Sequence, residues 1–587
     1  MNRLLAANIS LALTIGVLLC GCTLTAVAQN PAPAVQDRAA RRRASSITGL
    51  VVDDSGRPLA NAGIYVNKVG VAGSQRTTST DDKGRFRVDD LPAGAYSVTA
   101  SAASMVPADE PIQRRYYRPG DSVTLRLMKG GVITGKVTNS AGEPLIAARV
   151  QAIRLRTLDG RPLRTGPGRE RQADDRGIYR LYGLYPGVYH VVVNAKAGSS
   201  STASPFEDEA PTYHPSATRD TAAEVIVRAG DEVINIDIRY RSERGHAVSG
   251  TYSSPAALGS SSVPVTITLA RAPGGAIEAS TFIPAQGNER SFAIYGVPDG
   301  EYELTARVNT ADGEGAASAP RRIAIRGADV TGVELALAPL ASILGRVELA
   351  ASPETQLKPD CRSTRSTPIS EIVVVARADE SPDPRAVAST PERPVAPDEK
   401  GEFKVASLTS GRYHIEAQLP VKEWYVRSMT LPAASPKVQP RDAARNPITA
   451  GSGERVSGLT ITISEGAASL SGRVIPTAEG ASLPDRLRVL LVPADAARKD
   501  DALRFSETVV ERDGAFELNN LAPGRYKVVA RVPPVDDRDA ARPFWWDATG
   551  RGAAHRDADA AGIAISLGPC EHLSDYPLPF SVSAGKR

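Results

Sequence analysis

The chain has 587 residues, and its 70 basic and 66 acidic residues leave a formal net charge of only +4. This near balance gives no electrostatic reason to expect a nucleic acid or an anionic membrane surface as a partner. The length predicts several domains, and a hydrophobic content of 42% suffices for globular cores and argues against wholesale disorder.

Residues 1–28 are predicted to form a secretory signal peptide. A positive charge at Arg3 precedes an apolar stretch over 11–19 and the small-residue cleavage site Ala26-Val27-Ala28. A second interpretation stays open, because Leu19-Cys20-Gly21-Cys22 resembles a bacterial lipobox with Cys22 as the lipidated residue. Both interpretations export the mature chain to the periplasm, the outer membrane or the medium. No later stretch approaches the roughly 18 apolar residues of a transmembrane span.

An internal repeat predicts the architecture. Two aromatic residues ten positions apart occur five times, with a Gly two residues before the second aromatic. In the first copy, Phe86 and Val88 alternate with arginines as in a half-buried strand, and a Pro-Ala-Gly turn leads into a second strand at Tyr96. Each copy therefore predicts a hairpin. The aromatic pairs are Phe86/Tyr96, Tyr179/Tyr189, Phe292/Tyr302, Phe403/Tyr413 and Phe516/Tyr526.

A strand that opens around a Gly precedes each hairpin, and a closing strand follows it in the first four copies. Together they give roughly seven short strands in a unit of about 85–130 residues, as in an antiparallel β-sandwich. The sequence thus predicts an all-β tandem array of about five sandwiches. The predicted boundaries are 1–28 for the signal peptide, 29–43 for a linker, 44–128, 130–240, 244–338, 341–465 and 467–570 for the sandwiches, and 571–587 for a tail.

The first two units resemble a known family. The turn Ser55-Gly56-Arg57-Pro58, the stretches 80–86 and 91–96, and Asp175-Arg176-Gly177-Ile178-Tyr179 in the second unit look like the carboxypeptidase regulatory-like domain. The resemblance implies a transthyretin/prealbumin-like sandwich, grouped with carbohydrate-binding-like folds. Its motifs specify turns and core, and it brings no catalytic residues with it. In metallocarboxypeptidases this module accompanies a separate zinc peptidase domain, of which the sequence shows no trace.

The sequence offers no recognisable catalytic or cofactor-binding constellation. None of its six histidines lies in a zinc-hydrolase motif, and neither a nucleophile elbow nor a dinucleotide fingerprint occurs. His190 and His414 follow the second aromatic of a hairpin, where other copies have Ser97, Glu303 and Lys527, which predicts a solvent-facing position. We therefore predict no enzyme, no metal and no cofactor.

Cys361 and Cys570 are the only cysteines in the body of the mature chain. In an oxidising compartment they suggest one disulfide between the fourth and fifth units, with two free buried thiols as the alternative. Trp424, Trp545 and Trp546 are candidates for ligand stacking, because aromatic rings anchor interfaces and stack on sugar faces. The alternative is that these three rings fill the cores of units four and five.

Three functional hypotheses follow. The first is an exported, non-catalytic multi-β-sandwich protein of the bacterial cell envelope that serves as a structural and binding array. The second is a carbohydrate-binding protein, which rests on fold analogy and the tryptophans, and fold analogy is weak support for function. The third is an enzyme, or an accessory to a metallocarboxypeptidase activity. The expected partners are polysaccharide or envelope proteins, a lipid anchor at Cys22 under the lipobox interpretation, and no nucleic acid.

Overall fold

The computed structural model describes residues 45–108, 115–160, 163, 168–196, 206–253, 264–272, 277–284, 290–310, 314–350, 368–379, 394–433, 439–478, 481–484, 486–511, 513–532 and 543–581. The predicted signal peptide, the whole linker, Cys22 and Cys361 lie outside these residues. The described residues form five β-sandwich modules, named modules 1 to 5 in chain order, and confirm the predicted all-β array of transthyretin/prealbumin-like sandwiches.

The first three modules contain twenty-four of the described strands. Module 1 has β1 (Ile47–Val52), β2 (Gly63–Lys68), β3 (Arg76–Ser79), β4 (Arg85–Val88), β5 (Tyr96–Ser101), β6 (Met105–Pro107) and β7 (Ser122–Lys129). Module 2 has β8 (Gly131–Thr138), β9 (Arg149–Arg156), β10 (Arg169–Gln172), β11 (Ile178–Leu184), β12 (Gly187–Val193), β13 (Thr212–Tyr213), β14 (Val225–Val227), β15 (Glu232–Val233) and β16 (Ile238–Arg239). Module 3 has β17 (His246–Ser253), β18 (Val265–Arg271), β19 (Ile277–Ile283), β20 (Ser291–Val297), β21 (Gly300–Asn309), β22 (Gly315–Ser318), β23 (Arg321–Ile325) and β24 (Val330–Pro339).

The last two modules hold the remaining described strands and an α-helix. Module 4 has β25 (Ala341–Ala350), β26 (Val373–Ala378), β27 (Glu402–Leu408), β28 (Gly411–Gln418), β29 (Trp424–Leu431), β30 (Arg441–Asp442), β31 (Ile448–Ala450) and β32 (Arg455–Glu465). Module 5 has β33 (Ala468–Pro476), β34 (Arg488–Pro493), β35 (Ser506–Val509), β36 (Ala515–Leu521), β37 (Gly524–Arg531), the helix α1 (Ala548–Ala561), β38 (Ile563–Leu567) and β39 (His572–Phe580). Short 3-10 turns occur at Arg219–Thr221, Ile369–Glu371, Ala496–Arg498, Ala502–Arg504 and Phe544–Trp546.

The modules share one topology. The opening strand pairs antiparallel with the first strand of the predicted hairpin and parallel with the closing strand, as β1 does with β4 and β7. In β1, Gly49 lies opposite Phe86 and Val123. A Cβ at this position would stand 2.3 Å from the Val123 carbonyl oxygen and 2.5 Å from the Phe86 ring. Glycine is therefore required there, because only a residue without a side chain lets the backbone and the ring approach so closely.

The prediction of five hairpins is wrong in one respect, because the two strands of each do not pair with each other. In module 1, β4 belongs to the sheet β4-β1-β7-β6, whereas β5 belongs to the sheet β3-β2-β5. The turn between them crosses from one sheet to the other, so that both Phe86 and Tyr96 point into the same core. The period-2 pattern of each strand was predicted correctly, but periodicity does not tell which neighbour a strand pairs with.

The second aromatic of each repeat fixes this crossing turn. Tyr96 donates its hydroxyl hydrogen bond to the Pro92 carbonyl oxygen, four residues earlier, at 2.7 Å. The same bond recurs in every module, and all five tyrosines are buried. The other four bonds run from Tyr189 to Tyr185 (2.6 Å), Tyr302 to Pro298 (2.8 Å), Tyr413 to Thr409 (2.7 Å) and Tyr526 to Ala522 (2.5 Å).

The predicted tail contains the closing strand of module 5, which corrects the boundary at residue 570. β39 pairs parallel with β33, and Leu578 lies in the core of module 5. β39 contains prolines at 577 and 579, which have no backbone N–H to donate to a strand ladder. They are tolerated because the carbonyl oxygens of Tyr576 and Phe580 face β33, so the alternate positions 577 and 579 face the other edge of β39.

The array folds back on itself instead of extending as separate beads. Val69 and Ala95 of module 1 pack against Val373 and Val375 of module 4. The run Val373-Val374-Val375-Ala376 is apolar on both faces, and its other face lies in the core of module 4. A strand buried on both faces has such a continuous apolar run.

Candidate functional site

The structure places two of the three candidate tryptophans in the interior. Trp424 begins β29 and is 3% exposed within the core of module 4, and Trp546 is 8% exposed. Trp545 is partly buried and lies edge-on to Phe544, with ring centres 5.0 Å apart, in the cluster beneath α1. The ligand-stacking interpretation is therefore wrong for Trp424 and Trp546, because neighbouring side chains cover their faces.

An enclosed polar group lies on the outer face of a sheet where module 5 covers module 4. We call Asp379, Arg412, His414 and Trp546 the interface cluster. The His414 and Trp546 rings stack with centres 4.3 Å apart and an interplanar angle of 10°. His414 Nε2 lies 2.9 Å from an Asp379 carboxylate oxygen, and Arg412 pairs with the other oxygen. The cluster thus places a histidine, a carboxylate and a guanidinium of module 4 beneath a tryptophan ring of module 5.

Electrostatics in the interface cluster favour a charged carboxylate. Burial by itself would raise the pKa of Asp379, but the hydrogen bonds from Arg412 and His414 outweigh it and hold that pKa below its ordinary value. The prediction of a solvent-facing His414 is wrong, because the residue is 1% exposed. His414 does lie on the outer face of its sheet, as its position in the repeat indicates, but Trp546 covers that face.

His190, predicted in the same way, is half-buried. Its ring meets the Tyr213 ring edge-on, with centres 5.9 Å apart. Burial and the nearby charge of Arg219 lower the pKa of His190. Neither of these two histidines belongs to a metal site, and no group of three or more His, Cys, Asp or Glu side chains that could hold a metal ion occurs among the described residues.

A second enclosed ion network joins modules 2 and 3. Glu278 is buried, and its carboxylate lies 2.9 Å from Arg219 Nη1 and 3.5 Å from Arg271 Nε. Arg271 Nη1 also pairs with Asp220 at 2.7 Å. The four residues come from two segments more than 50 residues apart, Arg219-Asp220 and 271–278, so no local pattern could have indicated the network. It fixes the relative placement of two modules through charge-assisted hydrogen bonds.

Two clefts in the described residues have linings in which several charges are already paired. A cleft of about 450 Å³ lies between α1 and the end of β34. In it Lys527 Nζ pairs with Asp559 at 2.8 Å, and His555 Nε2 lies 2.9 Å from the Lys499 carbonyl oxygen. A smaller cleft of about 320 Å³ in module 3 is lined by Glu301, Tyr302, Arg322 and their neighbours.

The candidate disulfide stays a prediction, because Cys361 lies outside the described residues. Cys570 occupies the turn between β38 and β39 with φ of 56°. Its backbone N–H donates to the Gly466 carbonyl oxygen at 3.2 Å, so it lies at the boundary between modules 4 and 5. No helix among the described residues is long and apolar enough to cross a membrane.

These features define a class of protein, a tandem array of β-sandwich modules whose enclosed polar clusters join one module to another. The family model of the carboxypeptidase regulatory-like domain matches residues 46–125. Module 1 is therefore similar to the carboxypeptidase regulatory-like domain, in agreement with the resemblance found in the sequence. Among curated proteins, none matches this sequence.

Solved structures similar to the chain include bacterial pilins and a bacterial collagen binding protein. The minor pilin GBS52 of Streptococcus agalactiae is 12% identical, with coverage of 33% of this chain and 95% of the pilin and a TM-score of 0.19. Two B repeat units of the collagen binding protein of Staphylococcus aureus are 12% identical, with coverage of 72% and 99% and a TM-score of 0.13. The shaft pilin SpaA of Lactobacillus rhamnosus GG is 12% identical, with coverage of 33% and 97% and a TM-score of 0.16. TM-scores of this size say nothing about what this chain binds.

Proposed function

We propose that this chain is an exported, non-catalytic protein of the bacterial cell envelope whose sandwiches act as a structural and binding array. One observation carries the proposal: the side chains that recur in all five modules serve folding. The repeated tyrosines hold crossing turns, and the repeated aromatic and apolar residues fill the five cores. A repeat used for turnover would instead place polar groups in an open cleft.

Contacts between modules support a preformed scaffold. Arg118 of module 1 reaches the buried Glu371 of module 4, with Nε and Oε2 3.8 Å apart. Between modules 4 and 5, the Asn520 side-chain amide donates to the Val421 carbonyl oxygen at 2.6 Å and to that of Trp424 at 2.8 Å. Such contacts reduce the freedom of the modules, and a preorganised surface binds its partner at a lower entropic cost.

Cell fractionation tests the proposal. The full chain is compared with a variant that lacks residues 2–28 and with Cys22→Ala. We expect the full chain in the envelope fraction or the medium and the deletion variant in the cytoplasm. Movement of Cys22→Ala from a detergent phase to the aqueous phase identifies a lipid anchor, and unchanged partition identifies ordinary cleavage of the signal peptide. A full chain that stays in the cytoplasm contradicts the proposal.

Enzymatic activity is the competing hypothesis, and the name of the family suggests a peptidase. We expect peptidase assays on the mature chain, with and without added zinc, to show no peptide hydrolysis above the rate in buffer alone. Turnover that a chelator abolishes and zinc restores would replace our proposal with a metallopeptidase. The same assays with a metallocarboxypeptidase added test an accessory role, for which we expect an unchanged rate.

Carbohydrate binding is the second candidate function. Burial of Trp424 and Trp546 removes two of the side chains on which it rested. A different surface favours it, because module 2 carries arginines and tyrosines that lie together on its exterior.

A further inference from the structure

One end of module 2 gathers guanidinium groups on two tyrosines. We call Arg154, Arg169, Arg171, Tyr182 and Tyr185 the arginine–tyrosine surface. The Arg171 guanidinium carbon lies 4.6 Å from the Tyr182 ring centre, and that of Arg154 lies 5.5 Å from the Tyr185 ring centre. Arg169 Nη2 lies 3.9 Å from the point where a Cβ on Gly183 would stand. Three cationic groups, one on β9 and two on β10, therefore lie beside the end of β11 and the turn that follows it.

Two of these cations lack an acidic partner within the described part of the chain. Neighbouring arginines of module 2 are paired: Arg156 bonds to Glu224, Arg176 to Asp174, and Arg180 to Glu232. Arg169 and Arg171, in contrast, form no ion pair with any described carboxylate. Arg169 is exposed and Arg171 half-buried, so both guanidinium groups are within reach of a ligand.

The local charge is unlike that of the whole chain. Residues 149–180 contain nine arginines and four acidic residues, whereas all 587 residues together have a net charge of +4. Residues 149–180 contain no lysine, so all nine cationic side chains of this segment are arginines. A guanidinium group presents a planar fork of N–H donors that matches a carboxylate or sulfate group, which the point charge of a lysine does not.

An exposed aromatic ring completes the surface. Tyr182 is 37% exposed on β11, and Arg171 covers part of its ring. A tyrosine can pack its apolar face against a sugar ring while its hydroxyl stays hydrated. Adjacent Arg169 and Arg171 can then bind an acidic substituent of that sugar. We propose that the arginine–tyrosine surface binds an acidic polysaccharide through its carboxylate or sulfate groups.

This inference rests on the proposed role as an exported binding array. A nucleic acid is also anionic, but proteins that bind it through phosphates commonly neutralise about six to ten of them. Two unpaired guanidinium groups supply far fewer contacts. With two ionic contacts, the logarithm of the association constant should fall with the logarithm of the salt concentration with a slope of about −2, whereas a nucleic-acid tract gives a much steeper slope.

Binding of the mature chain to immobilised polymers tests the inference. The probes are polygalacturonate for carboxylates, dextran sulfate for sulfates, neutral dextran and single-stranded oligothymidylate. We expect one of the two anionic polysaccharides to bind with the shallow salt slope and neutral dextran not to bind. Whichever of the two binds more tightly identifies the acidic group. Tighter binding of the oligonucleotide with a steep slope, or no binding of either polysaccharide, would overturn the inference.

A matched pair of double variants tests the position. R169Q/R171Q removes the two unpaired cations, and R176Q/R180Q removes the same charge from two ion-paired arginines of the same module. We expect the first to weaken binding at least tenfold and the second less than twofold. Equal losses of affinity in the two double variants would mean that binding depends only on net charge. The assignment of the site to Arg169 and Arg171 would then be wrong.

Tyr182→Ala provides an independent readout, with an expected three- to tenfold loss at an unchanged salt slope. A loss below twofold would contradict the role of the ring. Circular dichroism confirms that each variant is folded. Fractionation distinguishes failure of the site from failure of the proposed function. A chain that is found in the envelope but binds neither polysaccharide refutes the site alone. A chain that stays in the cytoplasm refutes the proposed function.

Discussion

Replacing Tyr526 with Phe removes one hydroxyl group from the core of module 5. That hydroxyl donates to the Ala522 carbonyl oxygen at 2.5 Å, in a bond that is buried on both sides. The variant leaves this oxygen without its donor, and a buried unsatisfied acceptor costs about 1–3 kcal/mol. Because Ala522 is itself buried, water cannot easily replace the hydroxyl. We expect a loss of about 2 kcal/mol in the stability of module 5.

The equivalent change in module 1 is a matched control. Tyr96 donates to the carbonyl oxygen of Pro92, a residue exposed to solvent, so water can replace the lost donor. We expect Tyr96→Phe to cost about 0.5–1 kcal/mol, the net value of a hydrogen bond exchanged with water. The difference between the stability losses of the two variants therefore measures how much burial of the acceptor adds to the cost of losing the hydrogen bond.

Native-state hydrogen exchange of the full mature chain is the suitable assay, because a multi-domain protein has no single two-state unfolding free energy. The opening free energy of β36 and β37 is expected to fall by about 2 kcal/mol in Tyr526→Phe, with modules 1 to 3 unchanged. Equal losses in the two variants, or a loss below about 0.5 kcal/mol at Tyr526, would refute the assignment of the cost to a buried acceptor.

The same residue predicts an alkaline transition. Burial raises the pKa of Tyr526 from 10.0 to about 12. The protonated phenol is therefore favoured by folding, so its contribution is complete below pH 10 and is lost as the pH rises through about 12. A spectrophotometric titration at the tyrosinate band should show one phenol near pH 12 in the wild type that is missing in Tyr526→Phe. A missing phenol that titrates near 10 would contradict the predicted burial.

Three further predictions concern backbone contacts, module contacts and the cysteines. Gly49→Ala should destabilise module 1 by about 1–3 kcal/mol in hydrogen exchange, because the new Cβ would overlap the Val123 carbonyl oxygen. As a control, Gly552→Ala in α1 places its Cβ near no backbone atom outside the helix and should stabilise the helix by about 0.5–1 kcal/mol. Val373→Asp buries a charge between modules 1 and 4 and should enlarge the radius of gyration in X-ray scattering; an unchanged radius would show that this contact does not hold the array closed. Non-reducing mass spectrometry should find Cys361 and Cys570 in one linked peptide pair, and alkylation of both thiols would exclude the disulfide.

The sequence by itself determined the number of modules and the inward face of most repeated strands. The period-2 alternation around Phe86 and the Gly two residues before Tyr96 are local features, and local features report which side chains are buried. They did not reveal that β4 and β5 cross between sheets, because alternation is the same for either pairing partner.

The tertiary structure alone decided what covers each outer face. His414 occupies an outward position that other copies fill with Ser97 or Lys527, and only the folded chain brings Trp546 over it. Likewise, Val373 and Val375 meet module 1 across some 300 residues of sequence. Such contacts follow from the shapes and relative placement of whole modules, which depend on many weak interactions at once. No local periodicity encodes them, so the sequence could indicate buried faces but not the partners that bury them.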